Sequence, residues 1–362
     1  MSVAKRRAID RFRHREVQDR IHEQLARDRL RALSEDDSES ADIGDDVLRL
    51  IFIACHPVLS MEGRVALTLR LLGGLATPEI ARAFLVSEAT VAQRIVRAKR
   101  TLSEAHVAFE EPDEAERSSR LGAVLEVIYL IFNEGYSASA GDDVVRPELC
   151  EDALRLGRLL AELAPAEPEV HALVALMELQ ASRTKARVDA SGDPILLMEQ
   201  DRGRWDHLLI RRGLAALDRS SRLSGSLGPY ALQAAIAAEH AVARTPEETD
   251  WVRIAALYDA LAELHPTPVV RLNRAVAISR AYGPQAGLHL VEALAFEPAL
   301  RTYHLLPSVQ GDLLEQLARF NEAKAAYERA ASLAQNARDR AALQAAATRC
   351  ARLSLERKTL KG

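Results

Sequence analysis

The residues best suited to chemistry lie between positions 77 and 100, and the chemistry they offer is hydrogen bonding and ion pairing with nucleic acid. Arg97, Lys99 and Arg100 can neutralise backbone phosphates. Gln93 and Arg94 can hydrogen-bond to base edges in the major groove of DNA. Hydroxyl and carboxylate side chains earlier in the stretch can contact bases as well. The complete set of candidate DNA-contacting residues is Thr77, Ser87, Glu88, Thr90, Gln93, Arg94, Arg97, Lys99 and Arg100.

Two short helices are predicted to position these side chains. The residues Thr77-Pro78-Glu79 predict the first, with threonine as the N-cap, proline at the first helical position and a carboxylate near the positive end of the helix dipole. Ser87 is the predicted N-cap of the second helix. The second helix is amphipathic, with a cationic face opposite an apolar stripe formed by Val91, Ile95, Ala98 and Leu102.

These two helices, the tight turn between them, the small Ala81 and the apolar Val91 match a helix-turn-helix, whose second helix enters the major groove. Leu85 stands at a turn position that glycine often holds. An amphipathic helix with an arginine-rich face is also typical of a solvated surface helix. The segment taken alone therefore leaves DNA binding and a merely solvated face both open.

Charge is distributed unevenly along the chain. The 362 residues hold 48 Lys and Arg against 52 Asp and Glu, a formal net charge of −4. Residues 1–33 carry an excess of basic side chains, whereas 34–46 hold acidic residues with no basic one, a composition typical of a solvated linker. The length suits two or three domains. Aromatic residues make up only 4%, and Ala, Leu, Glu and Arg dominate, so we predict an all-α fold.

Several function classes are disfavoured by what the sequence lacks. It has no apolar run long enough to span a bilayer and no export signal near Met1, so we expect a cytoplasmic protein that does not enter a membrane. Its three cysteines have neither disulfide-framework nor zinc-site spacing. Phosphate-binding loops and HExxH or GxSxG motifs are also missing. We therefore expect no catalytic residue, no metal, no cofactor and no enzymatic activity.

Residues 115–362 have the pattern of successive helices separated by proline or glycine. The stretch from Leu305 to Gln335 fits a tetratricopeptide unit, a helical hairpin with small residues where its helices cross. A preceding unit is aligned on Ala286, Leu290, Ala293 and Pro298. Stacked hairpins leave a concave groove, which predicts a protein or peptide ligand, with a purely structural domain as the alternative.

Two further features of this region do not belong to the repeats. Residues 187–198 predict a short hairpin or ordered loop around a Ser-Gly-Asp-Pro turn. Charged residues surround Trp205 in the following stretch, 201–206. They can line a ligand pocket, or they can be ion pairs packed on the indole.

Four stretches resemble the promoter-reading C-terminal domain of extracytoplasmic-function sigma factors. They are Asp45–Pro57, Arg64–Leu75, Glu79–Val86 and Ala89–Arg100. More narrowly, the chain resembles the group of these factors that has a tetratricopeptide-like C-terminal extension, which includes a signature similar to Tyr129–Ser139. The resemblance implies that the domain at 47–108 binds the minus-35 promoter element through its second helix and the β flap of core RNA polymerase through its other helices.

The resemblance also assigns the remaining segments. Residues 1–33 correspond to the last basic helix of the upstream sigma domain, which reads and melts the minus-10 element; 34–46 correspond to the acidic interdomain linker; and 115–362 form the helical extension. Most of the upstream domain is absent from the sequence, and a truncation or misassigned start is favoured over a naturally shortened paralogue. Two functions follow: a sigma factor whose extension regulates or recruits, or a protein-interaction scaffold with a vestigial DNA-binding domain.

Overall fold

The computed structural model describes residues 39–84, 86–107, 112, 114–136, 146–189 and 193–359. These residues form fifteen α-helices and five short 3-10 helices, and no β-strand occurs among them. The predicted all-α fold is confirmed. The segment 1–33, predicted to be a remnant of an upstream sigma domain, lies outside the described residues, as does 34–38 of the predicted linker.

The chain divides into two compact units, residues 1–130 and 131–362. The helices of the first unit are α1 (Glu39–Ala54), α2 (Met61–Leu71), α3 (Thr77–Ala83), α4 (Glu88–Glu104) and the first part of α5 (Glu114–Tyr136). The helix α1 starts within the stretch that acidic composition predicted as a linker. The division between the units falls inside α5, whereas the sequence placed the start of the second domain at residue 115.

Helix packing in the first unit depends on small side chains. Gly63 of α2 faces Ala98 of α4, where an added Cβ would lie 3.5 Å from the alanine Cβ. Cys55 at the end of α1 is buried, with its Sγ 3.4 Å from Oγ1 of Thr68 in α2. Burial raises the pKa of the Cys55 thiol to about 11, so this thiol stays protonated at neutral pH.

The second unit contains the end of α5 and ten further helices. These are α6 (Pro147–Leu163), α7 (Pro168–Ala181), α8 (His207–Leu223), α9 (Pro229–Val242), α10 (Trp251–Leu264), α11 (Pro268–Tyr282), α12 (Pro284–Leu294), α13 (Leu305–Gln316), α14 (Phe320–Leu333) and α15 (Ala337–Thr359). Five of them begin at a proline, which is favourable there because the first helical residue needs no backbone donor.

Helices α13 and α14 pack together over the predicted unit Leu305–Gln335. Gly311 of α13 lies against the ring of Tyr327, and an added Cβ would come within 2.8 Å of that ring. Ala323 and Ala330 of α14 are fully buried beside it. The small residues Gly311, Ala323 and Ala330 thus lie where these two helices cross, as the predicted hairpin requires.

The preceding helix pair, α11 and α12, departs from the predicted register by one residue. The alignment placed Ala286 and Ala293 at the buried positions, yet Ala293 is exposed. Gly287 lies at the crossing instead, where an added Cβ would come within 2.4 Å of Cβ of Ser279 and 2.8 Å of the Ala275 carbonyl oxygen. Glycine takes this position because the neighbouring backbone leaves no room for any side chain.

The first turn of α9 is capped by a residue from α7. The Glu169 carboxylate accepts hydrogen bonds from the backbone N–H groups of Tyr230, at 2.8 Å, and Ala231, at 3.2 Å. Gly228 makes room for it, because an added Cβ there would lie 2.4 Å from Cδ of Glu169. Partial burial raises the pKa of this carboxyl, while the two hydrogen bonds oppose that shift.

The connection between α7 and α8 holds the predicted hairpin and the predicted tryptophan environment. Val188 and Pro194 form an isolated antiparallel bridge, which confirms the short hairpin. Trp205 is buried, and Cζ of Arg202 lies 4.8 Å from the centroid of its ring. The Arg202 guanidinium donates hydrogen bonds to the carbonyl oxygens of His240 and Ala243. The charge therefore packs on the indole, but its hydrogen-bond acceptors here are carbonyl oxygens and not the carboxylates of the predicted ion pairs.

Replacing Gly311 by valine is expected to destabilise the protein by about 1–3 kcal/mol, because the added side chain overpacks the Tyr327 ring. Urea unfolding followed by circular dichroism measures the change. Gly225→Ala is the matched control in the same unit, since nothing lies within 4 Å of a Cβ there. Equal midpoints for Gly311→Val and the wild type would contradict the close packing of α13 on α14.

As the pH is lowered from about 6.5 to about 3, the free energy of unfolding is expected to decrease, partly because of His240. Burial, followed by the charges of Arg183 and Arg202, lowers the pKa of His240 to about 3, so the unfolded chain binds a proton that the folded chain does not. The slope from this group is at most about 1.4 kcal/mol per pH unit. His240→Phe keeps a ring beside Trp251 and should reduce the slope; an unchanged slope would show that His240 titrates normally.

Candidate nucleic-acid interface

Helix α3 begins one residue earlier than predicted, at Thr77 instead of Pro78. The Ala76 carbonyl accepts the first helical hydrogen bond, from the N–H of Ile80, at 3.1 Å. Ala76 is therefore the N-cap, and Thr77 is the first helical residue rather than the cap. Ala76 has no side-chain acceptor, and the carboxylate of Glu79 instead folds back to accept the Ala76 N–H.

The turn between α3 and α4 is tight, and α4 starts with a side-chain cap. The N–H of Val86 donates to the Ala81 carbonyl at 3.0 Å. Ser87 Oγ accepts the N–H of Thr90 at 3.1 Å, which confirms the predicted N-cap, and it also lies 2.8 Å from Oγ1 of Thr90. Leu85, the turn position noted in the sequence, lies outside the described residues.

One stripe of α4 packs against the rest of the first unit. Val91, Ile95 and Ala98 are buried as predicted, whereas Leu102 is only half-buried. Ile80 of α3 is buried too, and α4 packs against both α2 and α3. This packing fixes which face of α4 is exposed.

The exposed face of α4 carries most of the predicted DNA-contacting residues. Gln93, Arg97 and Arg100 occur at helical spacing along it and are exposed, and Lys99 and Glu88 are exposed as well. Thr77, Thr90 and Arg94 are half-buried, and Ser87 is exposed at the cap. The structure thus places the nine candidates on α3, the α4 cap and α4.

Two of the predicted cations have acidic neighbours. Arg100 Nε lies 2.9 Å from Oε1 of Glu104, one turn further along α4. Arg94 is close enough to Glu62 to help lower the pKa of that carboxyl, although hydrogen bonds at the start of α2 contribute more. Arg97 and Lys99 have no ion-pair partner in the part of the chain that the structure describes. They are therefore better placed than Arg100 to bind phosphate.

Val96 is a candidate that reasoning from residue type missed. Its side chain is 65% exposed, on the same side of α4 as Gln93 and Arg100. The sequence did contain a signal for this exposure, because Val96 lies seven residues after Ala89 and therefore on the same exposed face of the helix. An exposed aliphatic side chain on a recognition helix can contact the methyl group of thymine.

Other site chemistries find no support in the described residues. No group of three or more His, Cys, Asp or Glu side chains is arranged there to hold a metal ion. None of the helices described is both long and apolar enough to span a bilayer.

Comparison with known proteins identifies two segments and one relative. Residues 49–102 match the family described as sigma-70, region 4, and residues 120–221 match a family of unknown function, DUF6596. An uncharacterized protein of Rhizobium meliloti (strain 1021), R00370, is 49% identical over 303 residues, which are 84% of this chain and 71% of that protein. The chain belongs to the same family as R00370. No solved structure matches it.

The region 4 match covers the end of α1 and all of α2 and α3, and it ends within α4. Sigma-70 region 4 is a DNA-binding domain of transcription initiation that interacts with promoter DNA and RNA polymerase in general. The first unit therefore contains a sigma-70 region 4 domain with a helix-turn-helix, and a helical domain follows it. The DUF6596 match begins in α5 and ends within α8.

Ser87→Ala is expected to destabilise the first unit by about 1 kcal/mol, because it leaves the Thr90 N–H without its cap acceptor. Thermal unfolding measures the loss. Ser87→Asp restores an acceptor and should recover the stability of the wild type. If the aspartate variant is as unstable as the alanine variant, the cap does not contribute to stability and Ser87 serves another purpose.

Proposed function

We propose that this protein is an extracytoplasmic-function type sigma factor that binds the minus-35 promoter element through α4 and acts in the cytoplasm. The observation that carries the proposal is the exposed face with Gln93 and Arg97, held outward by the buried stripe of α4 within the region 4 match. Phosphate contacts are assigned to Arg97, Lys99 and, to a lesser extent, Arg100.

Base recognition is assigned to the first half of α4. Recognition helices read bases mainly with residues near their N-termini. Gln93 and Arg94 provide the donors and acceptors that pair with purines, and the exposed Glu88 carboxylate can accept a hydrogen bond from N4 of cytosine. Ser87, Thr90 and Thr77 lie close to this end and contribute hydroxyl groups. The other helices of the domain are proposed to bind the β flap of core RNA polymerase.

The second unit is proposed to regulate or recruit rather than to catalyse. Its paired helices, with Gly287 and Gly311 at their crossings, support a tetratricopeptide-like arrangement with a groove for a protein or peptide.

Arg97→Ala is expected to weaken binding to all DNA sequences by a similar factor and to lower the slope of log affinity against log salt concentration by about 0.9. Gln93→Ala should instead change the preference among sequences, with little change in that slope. Fluorescence anisotropy with a selected DNA site and scrambled sites measures both. Arg222→Ala is the control, because this arginine is exposed on α8 and pairs with Asp218. Identical effects of the first two variants would contradict these roles.

Binding to polymerase tests the function as a whole. The full chain is mixed with core RNA polymerase and promoter DNA, and complex formation and footprints are recorded. Co-elution with the polymerase and protection centred on the minus-35 element support the proposal. Failure to bind either the polymerase or promoter DNA overturns it. If both Gln93→Ala and Arg97→Ala leave every activity unchanged, the result favours an interaction scaffold with a vestigial DNA-binding domain.

A further inference from the structure

Three arginines meet two aromatic rings where α5 ends and the connection after α7 begins. Cζ of Arg187 lies 3.8 Å from the centroid of the Tyr136 ring. Cζ of Arg183 lies 5.8 Å from the centroids of both the Tyr136 and the Trp205 rings. Arg202 approaches the other ring, with its Cζ 4.8 Å from the Trp205 centroid. We call these five residues the arginine cluster.

Positive charge in the arginine cluster is not balanced by carboxylates in direct contact. Among the described residues, none of the three guanidinium groups forms an ion pair within 4.0 Å. Burial and the charge of Arg183 lower the pKa of Arg202, and the more distant Glu247 and Glu248 oppose that shift. Three half-buried cations around two rings repel one another, and an anion bound between them would remove that repulsion.

The cluster also contains hydrogen-bond donors without acceptors. Four of its buried donor atoms have no partner among the described residues: Tyr136 Oη, Arg187 Nε, Arg202 Nε and Trp205 Nε1. The side chains of Tyr136 and Trp205 are more than nine-tenths buried. Buried donors are normally satisfied, and a group of them calls for an acceptor that the chain itself does not supply here.

Arg202 cannot turn away to find such an acceptor. Its Nη1 donates to the carbonyls of His240 and Ala243 at the end of α9, and its Nη2 donates to Oγ1 of Thr249 at 3.2 Å. These bonds hold the guanidinium over the Trp205 ring, so the position of its charge is fixed before any ligand arrives. A preorganised charge of this kind is typical of binding sites rather than of surface arginines.

We propose that the arginine cluster binds a small anionic molecule through a phosphate group. Three cations and four orphaned donors match a phosphate, which has up to two negative charges and several acceptor oxygens, better than a carboxylate with one charge and two oxygens. Guanidinium groups already lie against both rings, so the ligand meets the arginines through their N–H groups rather than by stacking on an aromatic face. The proposal concerns binding by the second unit and does not depend on promoter recognition.

Isothermal titration of the full chain with inorganic phosphate, at constant ionic strength, tests the proposal. Arg187→Gln should weaken phosphate binding by at least about tenfold, because it removes one charge-assisted contact. Tyr136→Phe keeps the ring but removes one orphaned hydroxyl. It should weaken binding severalfold while leaving thermal stability without phosphate equal to or above that of the wild type. Arg222→Gln, an exposed arginine in the same unit, should bind phosphate as the wild type does.

Two further titrations identify the site and the ligand. Arg97→Ala removes the best phosphate-binding side chain of α4 and should leave phosphate affinity unchanged if the arginine cluster is the site. Acetate, as the carboxylate probe, should bind more weakly than phosphate. The proposal is overturned if the wild type shows no saturable phosphate binding, if Arg97→Ala abolishes it, or if acetate binds as tightly. Should Arg187→Gln fail to fold, Tyr136→Phe decides: an unchanged affinity rejects the cluster as the site.

Discussion

Close approach between neighbouring helices is the constraint on which the rest of the structure depends. The chain has few aromatic residues, so its helices bury apolar surface by lying near one another rather than by sharing large side chains. At Gly213 an added Cβ would come within 2.7 Å of Leu179, and at Gly157 within 2.6 Å of Met177. Helices that pack this closely fix the connections between them. The arginines that follow α7 owe their positions to this packing.

Local signals in the sequence were sufficient for the fold class and for much of the DNA-binding helix. The Ser87 cap and the stripe of Val91, Ile95 and Ala98 follow from nearby residues alone, because capping and helical periodicity act within a few positions. Two predicted positions were wrong, for different reasons. Residue type alone favours Thr77 as the cap of α3, whereas Ala76 holds that position with help from Glu79. Only the packing of α12 on α11 distinguishes Gly287 from the adjacent Ala286.

The functional features were likewise predictable only where all the residues involved lie close together in the sequence. The cationic face of α4 was visible in the sequence because all its residues are on one helix. The arginine cluster was not visible, because Arg202 and the carbonyl that it contacts at His240 are 38 residues apart. Only the unusual surroundings of Trp205 suggested that this stretch has a role. The exposure of Val96 follows from its helical position away from the buried stripe, although its residue type favours the core.

The cap that Glu169 places on α9 bears on where an independently folding piece of this chain can end. The DUF6596 match ends at residue 221, before α9 begins, yet α7 inside the match supplies the acceptor for the first turn of α9. In a fragment that ends at residue 221, the half-buried Glu169 carboxylate would lose the backbone N–H donors at the start of α9. The Arg202 guanidinium would lose the carbonyl oxygens at the end of α9 that accept its hydrogen bonds. The segment that matches the family is therefore shorter than the set of helices whose contacts hold it together.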